Sequence, residues 1–210
     1  MQTSNMKILV TGGLGFIGSH TVVELQSEGF EVVVIDNLSN SSVEVLDGIV
    51  TISGVKPYFE KLDLKVKEDV KSFFQKHSDV VGVIHFAASK AVGESVNNPL
   101  MYYENNINTL VYVLQELTKL NKQNFIFSSS CTVYGQADEL PITENAPVKP
   151  AESPYGNTKQ IGEEIIKDTC KVNEKLNSIA LRYFNPIGAH PSTEIGELPI
   201  GVTQNLVPFI

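Results

Sequence analysis

Short runs of β-branched and other apolar residues alternate along the chain with longer stretches of helical character. The runs from Lys7 to Thr11, Glu31 to Ile35, Pro57 to Glu60, Val80 to Phe86, Asn124 to Ser128 and Asn177 to Tyr183 predict six strands. Most are continuously apolar, the pattern of parallel strands covered by helices on both faces, and the segments between them are long enough for right-handed crossovers. Helices are predicted at about Gly15 to Glu28, Val66 to Lys76, Pro99 to Asn121 and Pro154 to Glu174, the last with Ser153 as N-cap and Pro154 at the first helical position. The expected fold is α/β, a doubly wound parallel sheet in the strand order 3-2-1-4-5-6. From Gly188 the chain turns loop-like, with Pro191, Gly196, Pro199, Gly201 and Pro208.

Composition narrows the class of partner. The 210 residues carry 16 Lys+Arg against 24 Asp+Glu, a net charge of −8, and no basic run, which argues against a nucleic-acid or anionic-membrane surface. The length points to one domain with a real core. Cys131 and Cys170 are too few for a disulfide framework and lie in no metal-ligand spacing, so a reducing cytosol fits and no metal is expected. No apolar run approaches the roughly 18 residues of a membrane helix, and neither an anchor nor a signal peptide is expected.

Between the first strand and the first helix stands Thr11-Gly12-Gly13-Leu14-Gly15-Phe16-Ile17-Gly18. Gly12 and Gly15 allow a tight turn and close approach of backbone to a pyrophosphate, Gly18 lets the helix pack on the strand, and exposed N–H groups face the anion. Such a turn marks a Rossmann sheet that takes a dinucleotide. Asp36 follows 18 residues after Gly18, at the end of the second strand, where a carboxylate binds ribose hydroxyls. With no Arg or Lys in Asn37-Leu38-Ser39-Asn40, the pattern favours NAD over NADP. A turn-forming role for Asp36 and a capping role for Asp63, just after the third strand, are the alternatives.

Tyr155 and Lys159 stand at i and i+4 and share one face if the segment is helical. A nearby ammonium lowers a phenol from about 10 toward neutrality, where it exchanges a proton with an alcohol or carbonyl oxygen; an ordinary solvated pair is the alternative. The fifth strand delivers Ser128-Ser129-Ser130 to a C-terminal strand edge, where ligands bind in open α/β sheets, and a serine there can donate to a developing oxyanion. Ser, Tyr and Lys beside a dinucleotide turn point to alcohol/ketone redox chemistry.

Five segments, Thr11 to His20, His85 to Ser95, Ser128 to Gly135, Ser153 to Lys159 and Leu181 to Pro191, carry a wider likeness. From about Met6 to Ile210 the chain resembles the extended short-chain dehydrogenase/reductase family, and Lys90 to Ser95 with Asn185 to Pro191 resemble its nucleotide-sugar epimerase branch. The resemblance implies Ser130 and Tyr155 as catalytic hydroxyls, with Lys159 tuning the phenol and holding the nicotinamide ribose. It implies a NAD site at Gly12, Gly15, Phe16, Ile17, Gly18, Asp36, Asn37, Asp63, Leu64, Phe86, Ala87, Lys90, Asn105, Tyr155, Lys159 and Phe184. It also implies a sugar-nucleotide site at Lys90, Ser130, Tyr155, Asn185 and Asn205. Core packing is the alternative for Phe86 and Phe184, and a helix-surface amide for Asn105.

The reaction so implied is interconversion of UDP-galactose and UDP-glucose by transient oxidation at sugar C4, in a cytoplasmic enzyme, with a homodimer as an open option. Residues 1–187 would form the NAD-binding domain with the catalytic residues, and residues 188–210 would begin a truncated substrate-binding region. Apolar surface meant for the rest of that region is expected to be exposed. Ala88 stands where the family often has glycine, Cys131 where it usually has alanine, and Thr203-Gln204 where Pro-Asn is typical. Cys131 and Thr132 replace an Asp-Glu pair of related dehydratases, which speaks against elimination of water. A catalytically silent NAD-binding module and another extended short-chain dehydrogenase/reductase acting on a nucleotide sugar, as a decarboxylase, reductase or C5-type epimerase, are the competing expectations.

Overall fold

The computed structural model describes residues 6–198. Six strands, β1 (Lys7–Thr11), β2 (Glu31–Asp36), β3 (Tyr58–Lys61), β4 (Val80–His85), β5 (Gln123–Ser130) and β6 (Leu176–Tyr183), form one parallel sheet. Its order is β3-β2-β1-β4-β5-β6, as the apolar pattern predicts. Six helices accompany it: α1 (Phe16–Ser27), α2 (Val45–Ser53), α3 (Lys67–Lys76), α4 (Val92–Asn97), α5 (Pro99–Leu117) and α6 (Pro154–Val172); a 3-10 turn, Cys131–Tyr134, follows β5. No described helix is long and apolar enough to cross a membrane.

Two cores lie on the two faces of the sheet. α1 and α2 cover Val10, Val32 and Val34, while α3, α5 and α6 cover Leu9, Val33, Val83, Phe125 and Phe127. Successive residues of β2 therefore lose solvent on opposite faces, each contributing roughly 1.5–3 kcal/mol, and the strand reads as an unbroken apolar run. The chain reverses between β1 and β4, the crevice at which open α/β sheets bind ligands.

α2 and α4 are absent from the sequence expectation. α2 carries Gly48 and β-branched residues in mid-helix, which weakens any propensity signal; the glycine is there because an added Cβ would sit 2.4 Å from the Glu194 carbonyl oxygen. That contact belongs to a returning segment after β6, in which Ile195 is buried in the α1/α2 core. α4 is six residues of mixed polarity, too short for a period. β6 is a sheet edge, and its Ile179 is 59% exposed and Leu181 exposed, on the continuation of the face that α1 and α2 cover.

Candidate active site

The turn after β1 is built by steric necessity. Gly12 has φ +65°, and a Cβ on it would meet the Ala87 nitrogen at 2.8 Å; a Cβ on Gly18 would lie 2.3 Å from the Gly12 carbonyl oxygen. Gly15 is the N-cap of α1 and supplies no side chain, so the first amides of the helix, on Phe16, Ile17 and Gly18, lack a side-chain acceptor. Amides and helix dipole together make an anion cradle.

Asp36 closes one side of this cradle. It is buried, and its carboxylate accepts from the Leu14 amide at 3.1 Å, the Leu38 amide at 2.9 Å and the Ser41 hydroxyl at 2.8 Å. The turn-forming alternative is therefore real, and it holds Leu38 at φ +62°. Three of about four acceptor positions are used, which leaves room for a ribose hydroxyl. Asn37 is half-buried and accepts from the Ser39 amide. Asp63 accepts from the Lys65 amide at 2.9 Å in a turn, its capping alternative, and Leu64 beside it is buried.

On the other side of the crevice, Thr11 Oγ1 lies 2.8 Å from His85 Nδ1 and accepts from the Ala87 amide at 3.4 Å, tying the β4 end to the glycine turn. His85 is stacked against Phe127, and burial pushes its imidazole down to about 3, with the Lys159 charge adding to the effect. Past it, the Asn106 side chain accepts from the Ser89 amide at 2.8 Å and donates to the Ser89 carbonyl and Thr158 hydroxyl. Asn105 is half-buried and donates to Ser89 Oγ at 3.0 Å, so it is not a free surface amide. Lys90 is exposed and pairs with Glu197 at 3.3 Å.

The hydroxyl and ammonium groups meet at the C-terminal end of β5. Ser153 caps α6 as expected, accepting from the Gly156 amide at 3.1 Å, and this starts the helix so that Tyr155 and Lys159 share a face. Lys159 is 4% exposed; its Nζ donates to the Ser128 carbonyl at 2.7 Å and stands 5.7 Å from the Tyr155 ring centre and 4.9 Å from that of Phe127. The solvated-pair alternative is excluded, and burial pushes the ammonium down to about 8. Tyr155 departs from the sequence expectation: burial raises the phenol above its ordinary value, and the Ser130 hydroxyl only partly pulls it back. The Lys159 ammonium donates to the Ser128 carbonyl and stands 5.7 Å from the ring centre, and the loss of water dominates the phenol. Ser130 is buried and also accepts from the Thr132 amide at 3.3 Å.

Phe86 is half-buried, packs against the α1/α2 core and has its ring 6.4 Å from that of Tyr183, so its core-packing alternative is partly met, whereas Phe184 is 55% exposed and is not a core aromatic. Asn185 follows, exposed, and Asn205 lies outside the described residues. The cradle, the β4 end and the Ser130, Tyr155 and Lys159 group thus share one edge of the sheet.

The profile of the NAD dependent epimerase/dehydratase family matches residues 8–205. The chain belongs to that family. Among its relatives, UDP-glucose 4-epimerase uge1 of Schizosaccharomyces pombe is 48% identical over 97% of this chain and 58% of its own length. UDP-glucose 4-epimerase of Bacillus subtilis is 48% identical over 98% of this chain and 60% of its own. The UDP-glucose 4-epimerase of Stenotrophomonas maltophila, solved with bound NAD and formylated UDP-arabinopyranose, superposes with a TM-score of 0.93 at 43% identity, covering 98% of this chain and 60% of that one. The enzyme of Bifidobacterium longum, in complex with NAD+ and UDP, gives 0.94 at 41% identity, covering 97% and 61%. The chain thus spans about 60% of the length of the curated relatives it matches.

Within this member of the epimerase/dehydratase family, sequence reasoning passed over His85, Thr11, Asn106, Glu163 and Arg182. A signal existed for three of them: Thr11 and His85 end adjacent strands. Glu163, four residues after Lys159, also repeats the Tyr155 to Lys159 spacing, but its partner Arg182 comes from another strand and no spacing reveals it.

Proposed function

We propose that the chain carries the NAD-binding and proton-transfer machinery of a UDP-hexose 4-epimerase, interconverting UDP-galactose and UDP-glucose. The observation that carries this reading is the placement of a half-buried Tyr155 and a buried Lys159, one helical turn apart, on the same sheet edge as the glycine cradle. The relatives' shared name supports it. The cradle fits a pyrophosphate because Gly12 and Gly18, where a Cβ would strike the Ala87 nitrogen and the Gly12 carbonyl oxygen, keep the turn tight while the first amides of α1 have no side-chain cap, and Asp36 fits an unphosphorylated ribose because its carboxylate would repel a 2′-phosphate.

Bound there, the nicotinamide would supply reversible hydride acceptance from sugar C4. Phe16, Ile17, Asn37, Asp63, Leu64, Phe86, Ala87, Asn105 and Phe184 would line the dinucleotide. Tyr155 would take the proton of the C4 hydroxyl and return it to the C4 oxygen once the 4-ketopyranose has turned over and regained the hydride on its other face. Ser130 would donate to the C4 oxygen, and Lys159 would hold positive charge beside the phenol and hydrogen-bond the ribose. Lys90 and Asn185 would face the sugar nucleotide, with Asn205 alongside them. Residues 1–187 would make up the NAD-binding domain and 188–210 the start of a substrate-binding region. Two unpaired cysteines suit a cytoplasmic protein, and Val96 (61% exposed) and Leu100 (82% exposed) on α4 and α5 suit a homodimer contact.

The test is incubation of the purified chain with NAD and UDP-galactose. Formation of UDP-glucose, abolished by Tyr155→Phe, is the expected result. NAD binding without turnover under conditions that support a full-length relative would replace this reading with that of a dinucleotide-binding portion alone.

A further inference from the structure

Glu163 follows Lys159 by one helical turn and Tyr155 by two, so the three side chains stand along one face of α6. Its carboxylate does not pair with Lys159. Oε1 accepts the Ser129 hydroxyl at 2.5 Å and Arg182 Nε at 2.9 Å, and Oε2 accepts the Arg182 terminal nitrogen at 2.7 Å. Arg182 is the only arginine of the chain, and its guanidinium also covers the Tyr134 ring at 4.7 Å. The two side chains are 22% and 17% exposed, so solvent screens them little. A planar fork that fills both oxygens of a carboxylate is what arginine, and not lysine, provides.

One pair thereby joins three elements. Ser129 adjoins Ser130 on β5, Glu163 belongs to the helix of Tyr155 and Lys159, and Arg182 comes from β6. The titratable groups that neighbouring elements present toward this part of α6 are His85 on β4, Cys131 and Tyr134 on the 3-10 turn, Tyr103 on α5, and Glu94 on α4, whose carboxylate is engaged by the Tyr102 hydroxyl. Among the described residues no carboxylate forms an ion pair with Lys159; the nearest on its own face is the one that Arg182 occupies.

We propose that Glu163 and Arg182 are positioning residues of the proton-transfer site: they clamp α6 to β5 and β6, and the bond between them keeps the Glu163 carboxylate from becoming a counter-charge to the Lys159 ammonium that stands 5.7 Å from the Tyr155 ring centre. The proposal rests on Tyr155 and Lys159 being the acid–base pair. Freed from Arg182, the Glu163 carboxylate lies within reach of Lys159 at the i, i+4 spacing and neutralises the charge that the phenol needs.

The test follows the Lys159 titration by NMR of the chain carrying labelled lysine side chains, with Lys159→Arg for assignment. Arg182→Gln is expected to raise the proton affinity of Lys159 at least about tenfold, one pH unit or more. Glu163→Gln, which keeps the shape without the charge, is expected to give no rise. The double variant is expected to return to the Glu163→Gln value, and Arg182→Lys, which keeps a cation without the fork, to stay near the parent. A titration unmoved by Arg182→Gln overturns the proposal, and so does a double variant shifted as far as the single one, because disturbed packing alone would produce that. The measurement needs no turnover. Absence of the UDP-sugar reaction with this titration pattern intact would therefore retire the assigned reaction and not the clamp.

Discussion

Gly18→Ala tests the cradle at its tightest point. The added Cβ would lie 2.3 Å from the Gly12 carbonyl oxygen and 2.8 Å from Gly13 Cα, whereas ordinary contact begins near 3.4 Å, so turn and helix must part by about 1 Å. Gly12 cannot yield, since its amide donates to the Ile35 carbonyl at 2.7 Å and its Cα faces the Ala87 backbone. Overpacking of this kind costs roughly 1–3 kcal/mol, against which alanine gains about 1 kcal/mol of helix propensity, leaving a net loss of up to about 2 kcal/mol. The larger effect falls on ligand affinity. Moving the Phe16, Ile17 and Gly18 amides by about 1 Å breaks charge-assisted hydrogen bonds worth roughly 1.5–3 kcal/mol each, so NAD affinity is expected to drop by about a hundredfold or more. Urea unfolding with and without NAD reads both quantities: ligand at 100 times its Kd stabilises the parent by about 2.7 kcal/mol and the variant hardly at all. Gly93→Ala is the control, because a Cβ there meets nothing within 4 Å in α4, and its stability is expected to hold or rise. A Gly18→Ala protein within about 0.5 kcal/mol of the parent that binds NAD within about twofold would refute the reasoning.

Two further predictions come from buried charge. His85 and His77 both have native values below the ordinary 6.5, pushed down chiefly by burial, so the unfolded chain binds protons first and stability present above about 6.5 is lost on acidification. With His85 at about 3, the loss between pH 7 and pH 5 is about 2 kcal/mol, and unfolding of His85→Gln is expected to show a flatter acid limb; equal limbs would contradict the burial argument. Lys159→Met removes a buried cation at the cost of an unpaired Ser128 carbonyl, so its unfolding free energy should stay within about 2 kcal/mol of the parent or rise while turnover falls at least about a hundredfold; a folded variant that keeps turnover would remove Lys159 from the mechanism.

How much of this was legible in the sequence differs from element to element. Val32 to Ile35 announce a strand buried on both faces because both faces are in fact covered, and Ser153-Pro154 announce a helix start because capping is local chemistry. α2 was hidden because its Gly48 answers to the Glu194 carbonyl, a contact made 146 residues later in the chain. Tyr155 and Lys159 were legible as a pair. The direction of the phenol was not, since it depends on burial, which spacing does not encode. The serine trio shows the same limit: Ser128 offers its carbonyl to Lys159, Ser129 its hydroxyl to Glu163 and Ser130 its hydroxyl to the Tyr155 side, three roles set by partners from other elements.

The most direct measurement supplies the chain with NAD and UDP-galactose deuterated at sugar C4 and follows the label by NMR. The account predicts UDP-glucose that keeps deuterium at C4, with no net accumulation of reduced nicotinamide, and loss of conversion in Tyr155→Phe. Solvent hydrogen at C4 of the product, or conversion undiminished in that variant, would contradict it.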